Sequence, residues 1–163
     1  MTSIVVMGDS HVGKTAFMHR AIHGRVPLNI FTSTTVETFR WVGALESSAD
    51  FHVVPGACSD EQLLHALRGM DAMLVLYKDE VCTARHWLWR ATRGMLGVHS
   101  LPVIVVCTGT SSPELVASML RAYPCAEHAV VTTTAGAQDC VNRIVMRVRR
   151  DPPSPLEFRF TVQ

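Results

Sequence analysis

Gly8-Asp9-Ser10-His11-Val12-Gly13-Lys14-Thr15 follows directly on the apolar run Ser3–Met7 and leads straight into the helix-period stretch Lys14–His23. Its spacing is G-x-x-x-x-G-K-[ST]. A strand that stops at a glycine, turns within a few residues and starts a helix aims successive backbone N–H groups at one point. The glycines permit the tight turn, the inward N–H groups form an anion nest, and the helix N-terminus adds the positive end of its dipole. The stretch therefore predicts phosphate binding by the backbone of Asp9, Ser10, His11, Val12 and Gly13. Lys14 reaches the outer phosphates as a point charge, and the Thr15 hydroxyl is placed to bind Mg²⁺.

Outward from this loop the chain alternates two kinds of segment. The runs Ser3–Met7, Ala72–Tyr77, Pro102–Cys107 and Ala129–Thr132 are nearly continuous in apolar residues, as strands buried on both faces are. Helix-period stretches lie between them at Lys14–His23, Asp60–Gly69, Cys82–Leu96, Pro113–Tyr123 and Ala137–Arg150. Ser59 stands before the second as a cap, Ser112-Pro113 opens the fourth, and Gly97 follows the third. That alternation predicts an α/β fold, a parallel sheet covered by helices. Thr34–Val42 breaks the rhythm, with Thr35, Glu37, Phe39 and Trp41 sharing one face, and Ala49–Val54 follows as its hairpin partner. The pair supplies one antiparallel edge strand.

The 163 residues suffice for one domain, placed at residues 1–150, with a Pro-rich linker and strand-like tail at 151–163. Asp151-Pro152-Pro153-Ser154-Pro155 cannot continue a helix. Leu156–Val162 then alternates apolar and polar, as a strand with one buried face does. It either folds back on the body or adds to a partner or a second copy of the chain. Hydrophobic residues at 48% against 18% charged exclude a disordered chain, and a net charge of +1 gives no field for nucleic acid. No apolar run is long enough to span a bilayer. Five scattered cysteines without a C-x-x-C pair read as free cytosolic thiols. A cytoplasmic protein without a direct lipid anchor is the expectation, the final residues containing no cysteine.

The loop's Gly-Asp-Ser-x-Val-Gly-Lys-Thr form, together with the element order over residues 3–150, resembles the small Ras/Rab-like GTPases. The resemblance implies a three-layer P-loop fold: a six-stranded, mostly parallel sheet with one antiparallel edge strand and about five helices. It implies GTP or GDP as ligand, ATP as the alternative, with Mg²⁺, and action through protein partners. It puts a second magnesium hydroxyl on Thr34, with Ser33 and Thr35 as rivals one step away, and the Gly56 N–H at the terminal phosphate. Where the family carries the metal-shell Asp and the water-positioning Gln, this chain has Val53 and Ala57, so hydrolysis is expected to be weak or absent and no residue is assigned as catalytic. Asp60 and Glu61 lie just beyond, in a position that helix capping and the dipole already explain. The family's base-reading motifs align with Cys107-Thr108-Gly109-Thr110 and Thr134-Ala135-Gly136, which places Thr108, Thr110 and Ala135 at the base. Thr110 offers a neutral hydroxyl where a carboxylate would tell guanine from adenine.

The stretch Arg85–Arg93 gathers arginines around Trp87 and Trp89, which cannot share one helix face. One is expected to be buried and the other exposed among arginines, a surface suited to a protein partner. The row Arg143, Arg147 and Arg150 reads as a solvated face. His19 and His23 have chelating i, i+4 spacing but no evident third ligand. Two other functions share the loop: a small P-loop NTPase or phosphotransferase, and a scaffold that uses the fold without nucleotide.

Overall fold

In the computed structural model, which describes residues 1–31, 33–44, 47–93 and 101–150, strands and helices alternate along the chain. They are β1 (Thr2–Met7), α1 (Lys14–His23), β2 (Glu37–Val42), β3 (Ser48–Val53), α2 (Asp60–Leu67), β4 (Ala72–Tyr77), α3 (Val81–Arg93), β5 (Val103–Cys107), α4 (Pro113–Ala122), β6 (Ala126–Val130) and α5 (Thr134–Arg150). The six strands form one sheet in the order β2-β3-β1-β4-β5-β6, parallel except where β2 runs antiparallel to β3. The α/β architecture expected from the sequence is therefore present. No helix among the described residues is long and apolar enough to cross a membrane.

Helices cover both faces. Phe17, Met18 and Ala21 of α1 and Cys140, Val141, Ile144, Val145 and Val148 of α5 pack on one side of the sheet against Ile4, Val6, Phe51 and Leu74. Leu63 and Leu67 of α2, Ala84, Trp87 and Leu88 of α3, and Val116 and Met119 of α4 pack on the other against Val5, Met7, Val75 and Val105. This is why β4 and β5 carry no solvent-facing residue, whereas the edge strand β2 alternates half-buried Glu37, Phe39 and Trp41 with exposed Thr38, Arg40 and Val42. In the hairpin register Glu37 stands opposite Val53, Phe39 opposite Phe51 and Trp41 opposite Ala49.

The position of β1 fixes where a ligand can go. It lies between β3 and β4, so the chain leaves it toward one edge of the sheet through α1 and later returns to build the other edge. Such a reversal opens a crevice at the carboxyl ends of the strands. The Gly8–Thr15 loop occupies that place.

Several boundaries differ from the sequence reading. β6 covers Ala126–Val130 rather than Ala129–Thr132, because Glu127 and His128 interrupt its apolar pattern while having partners of their own. The Tyr77 hydroxyl lies 2.7 Å from His128 Nε2, and Arg143 and Arg147 bind Glu127 at 2.7 and 3.2 Å. α5 starts at Thr134, three residues early, where the Thr133 hydroxyl accepts the Gly136 N–H at 3.0 Å. β2 starts only at Glu37, since Ser33 and Thr35 fold into a local turn in which the Ser33 hydroxyl donates to the Thr35 carbonyl at 2.8 Å.

Arg147 also corrects the solvated-face reading. Its guanidinium donates to the Cys125 carbonyl at 2.7 Å, so with Arg143 it fastens α5 to β6. Ser59 caps α2 as expected, and with Gln62 it forms a reciprocal capping box. Gly97, the end of the third helix near Leu96, the linker 151–155 and the tail 156–162 lie outside the described residues.

Candidate phosphate-binding site

The loop after β1 takes the backbone conformations that an anion nest requires. His11 and Gly13 both lie in the left-handed region, at φ +67° and +90°. For Gly13 this is free of steric cost, whereas for His11 it is a strained conformation that the surrounding structure must hold. Gly13 is the N-cap of α1, where no side chain accepts a hydrogen bond and the first turn contains no acidic residue. The N–H groups of that turn are thus not occupied by a side-chain cap.

Lys14 is 8% exposed. Its side chain arcs back along the loop, and Nζ donates to the carbonyls of Gly8 and Asp9, both at 2.8 Å. Burial pushes its pKa down to about 8, opposed by the nearby Asp9 carboxylate. The ammonium is held in place by neutral carbonyls, with no carboxylate among the described residues in salt-bridge contact, and an anion at the loop would compensate for its desolvation.

Around this loop is a cavity of about 280 Å³. Ser10, His11, Gly13, Lys14 and Thr15 form one wall, and Phe31, Ser33, Thr35, Glu37, Val53 and Gly56 are among the residues opposite. Of the three hydroxyls considered for magnesium, Ser33 and Thr35 line this cavity. Thr34 lines a neighbouring groove of about 980 Å³ that Thr35 also borders. Gly56 packs so closely on the loop that a Cβ there would collide with the Ser10 backbone nitrogen. Ala57 is exposed, Asp60 is bound by Arg90 at 2.8 Å, and Glu61 lines the neighbouring groove.

Two residues with no assigned role complete the loop's surroundings. The Thr15 hydroxyl lies 3.4 Å from Glu37 Oε1. The Asp9 carboxylate accepts the Trp87 indole N–H at 2.7 Å, so this side chain is anchored to α3. Arg90 stacks on Trp87 at 4.5 Å and also donates to the Cys58 carbonyl at 2.9 Å. The face-sharing row that includes Glu37 was the only sequence signal for the first of these; nothing local signals the second.

The residues aligned with base recognition gather at the same end of the sheet but outside the cavity around Lys14. The Thr108 hydroxyl lies 3.0 Å from the Val12 carbonyl, which joins the end of β5 to the phosphate loop. The Thr110 hydroxyl and N–H both donate to Asp79 Oδ1, at 3.2 and 3.3 Å, and Ala135 is exposed in the first turn of α5.

On α3 the two tryptophans divide as their spacing requires: Trp87 is 1% exposed and Trp89 48%. Trp89 carries Arg93 at 5.0 Å and His86 at 5.9 Å between ring centroids. His19 and His23 lie 5.5 Å apart, with His19 packed edge-on to Phe39. Among the described residues there is no group of three or more His, Cys, Asp or Glu side chains that could hold a metal ion. The chain matches no protein-family model, and no curated protein matches it in sequence.

Proposed function

We infer that the protein is a nucleotide-binding module of the small-GTPase kind. It binds GTP or GDP with magnesium, hydrolyses weakly or not at all, and acts through contacts with other proteins in the cytoplasm. The observation that carries this reading is the Lys14 ammonium, buried at the end of β1 beside two left-handed loop residues and an uncapped helix N-terminus. Each of these features has a cost or leaves polar groups unused in the protein alone, and each is relieved by a polyphosphate.

The cavity volume suits the phosphate portion of a nucleotide, small-molecule sites starting at about 300 Å³. The base would then extend toward Thr108 and Thr110, where a neutral hydroxyl and the already engaged Asp79 replace a free carboxylate. Preference for guanine is accordingly weak. Weak hydrolysis follows from Val53 and Ala57, neither of which can polarise or orient a water. Magnesium fits the donor set, since Thr15 offers a hydroxyl in the cavity and Ser33 and Thr35 offer two more. For partners, the exposed Trp89 with His86 and Arg93 offers an aromatic and cationic surface.

Purified protein denatured by heat and chromatographed for GTP, GDP and ATP tests the reading. Retained nucleotide without turnover supports it. Turnover would point to the P-loop enzyme, and protein indifferent to added nucleotide to the scaffold.

A further inference from the structure

A carboxylate inside a polyphosphate site is an electrostatic contradiction. Glu37 lines the same cavity as Lys14, Thr15 and the loop N–H groups, and its Oε1 lies 3.4 Å from the Thr15 hydroxyl. Two like charges about 4 Å apart in a partly desolvated site repel by about 4 kcal/mol unless a cation lies between them. The 3.4 Å separation is also long for a hydroxyl donating to a carboxylate, which closes to about 2.5–2.7 Å when the bond is strong.

The register explains how a carboxylate comes to be there. Glu37 stands directly opposite Val53 in the β2–β3 hairpin, on the same face of the sheet. Directly opposed residues have Cβ atoms about 4.5–5.5 Å apart. The two positions therefore share one face of the sheet, and in this chain it is β2 that carries a carboxylate there, beside Thr15 at the start of α1.

We propose that Glu37, together with the Thr15 hydroxyl, is the acidic ligand of a divalent cation that binds with the polyphosphate. This rests on the nucleotide-binding reading and deepens it. Asp60 is not available for the same role, being held by Arg90, and Glu61 faces the neighbouring groove. A cation bridging Glu37 and the phosphates would also tie β2 and the preceding Ser33–Val36 segment to the ligand. Nucleotide binding would then order the surface bordered by Thr34 and Thr35.

The test is calorimetry of the full chain with GTP, and with ATP in parallel, in magnesium and in EDTA, for the wild type and Glu37→Gln. Paramagnetic resonance of Mn²⁺ in the presence of the same nucleotide reports the cation directly. Magnesium should tighten wild-type binding at least about tenfold, and Glu37→Gln should lose most of that gain. The variant should bind as well as wild type or better in EDTA, because a repelling charge has been removed. Its Mn²⁺ signal should stay that of the manganese–nucleotide complex in solution at concentrations where the wild type captures it. Equal magnesium enhancement in both proteins, or none in the wild type with nucleotide still bound, overturns the role of Glu37 and leaves the nucleotide reading standing. No binding by the wild type under either condition overturns both. Glu37→Gln is isosteric, and retained affinity in EDTA shows that it is folded.

Discussion

The Trp87 indole N–H reaches the Asp9 carboxylate at 2.7 Å, joining the middle of α3 to the phosphate loop across 78 positions of sequence. A hydrogen bond to a charged group contributes about 1.5–3 kcal/mol. Trp87 is itself held beneath Arg90, which in turn binds Asp60 and the Cys58 carbonyl. The loop that would grip phosphate is thus braced by a chain of contacts running through α3 to the start of α2. Trp87→Phe keeps an aromatic ring and removes the donor. It should lower stability by about 2 kcal/mol in urea unfolding and weaken nucleotide binding, as the loop loses its anchor.

Gly56 touches the loop from the opposite side. A methyl group there would overlap the Ser10 nitrogen and the Asp9 carbonyl carbon, both backbone atoms that cannot swing away. Gly56→Ala is expected to destabilise the protein by about 1–3 kcal/mol in chemical denaturation. Its nucleotide affinity should fall by about tenfold or more, because the displaced N–H groups are those of the nest. Gly24→Ala, at a helix end with open space around it but a left-handed backbone, should destabilise the protein and leave affinity unchanged.

On the proposed function, Lys14 should make nucleotide binding depend on pH. Burial lowers its pKa to about 8 in the free protein, and a neighbouring phosphate raises it, so the protonated form is the one that binds. Affinity is then fully present well below pH 8 and declines as pH rises through and above it, by up to about tenfold per unit. Calorimetry at pH 8 in buffers of different ionisation heat should register uptake of about half a proton by this group, against nearly none at pH 6.5.

Trp89 separates stability from partner contact. It is exposed on α3, so Trp89→Ser should change the unfolding free energy by less than about 0.5 kcal/mol and leave nucleotide affinity untouched. Association with a protein partner through this face should be lost in the same variant, as measured by pull-down beside the wild type.

Much of the fold was legible because its signals are local. β4 is a continuous apolar run, and the helix over Lys14–His23 begins at the lysine of the loop motif and ends before Gly24, whose left-handed backbone stops it. β6 was misplaced because Glu127 and His128 are polar in sequence and find their partners only in space, on α5 and β4. Arg147 differs for the same reason, its acceptors being a carbonyl on β5 and another just before β6. In the candidate site the loop was visible as a motif, and the division of Trp87 from Trp89 followed from helix geometry. The Asp9–Trp87 bond and the approach of Glu37 to Thr15 are long-range consequences of the sheet order. The alternation of Glu37 with Phe39 and Trp41 gives its face of the strand, whereas its distance from the loop depends on the register against β3.

The most direct test of the whole account is calorimetric titration of the full chain with GTP and magnesium at pH 7, beside a Lys14→Ala variant that remains folded by circular dichroism. The account predicts saturable binding by the wild type and a loss of at least about thirtyfold in the variant, the effect of removing one member of a buried charge contact. No heat in the wild type with either GTP or ATP, or equal affinity in the two proteins, would contradict it.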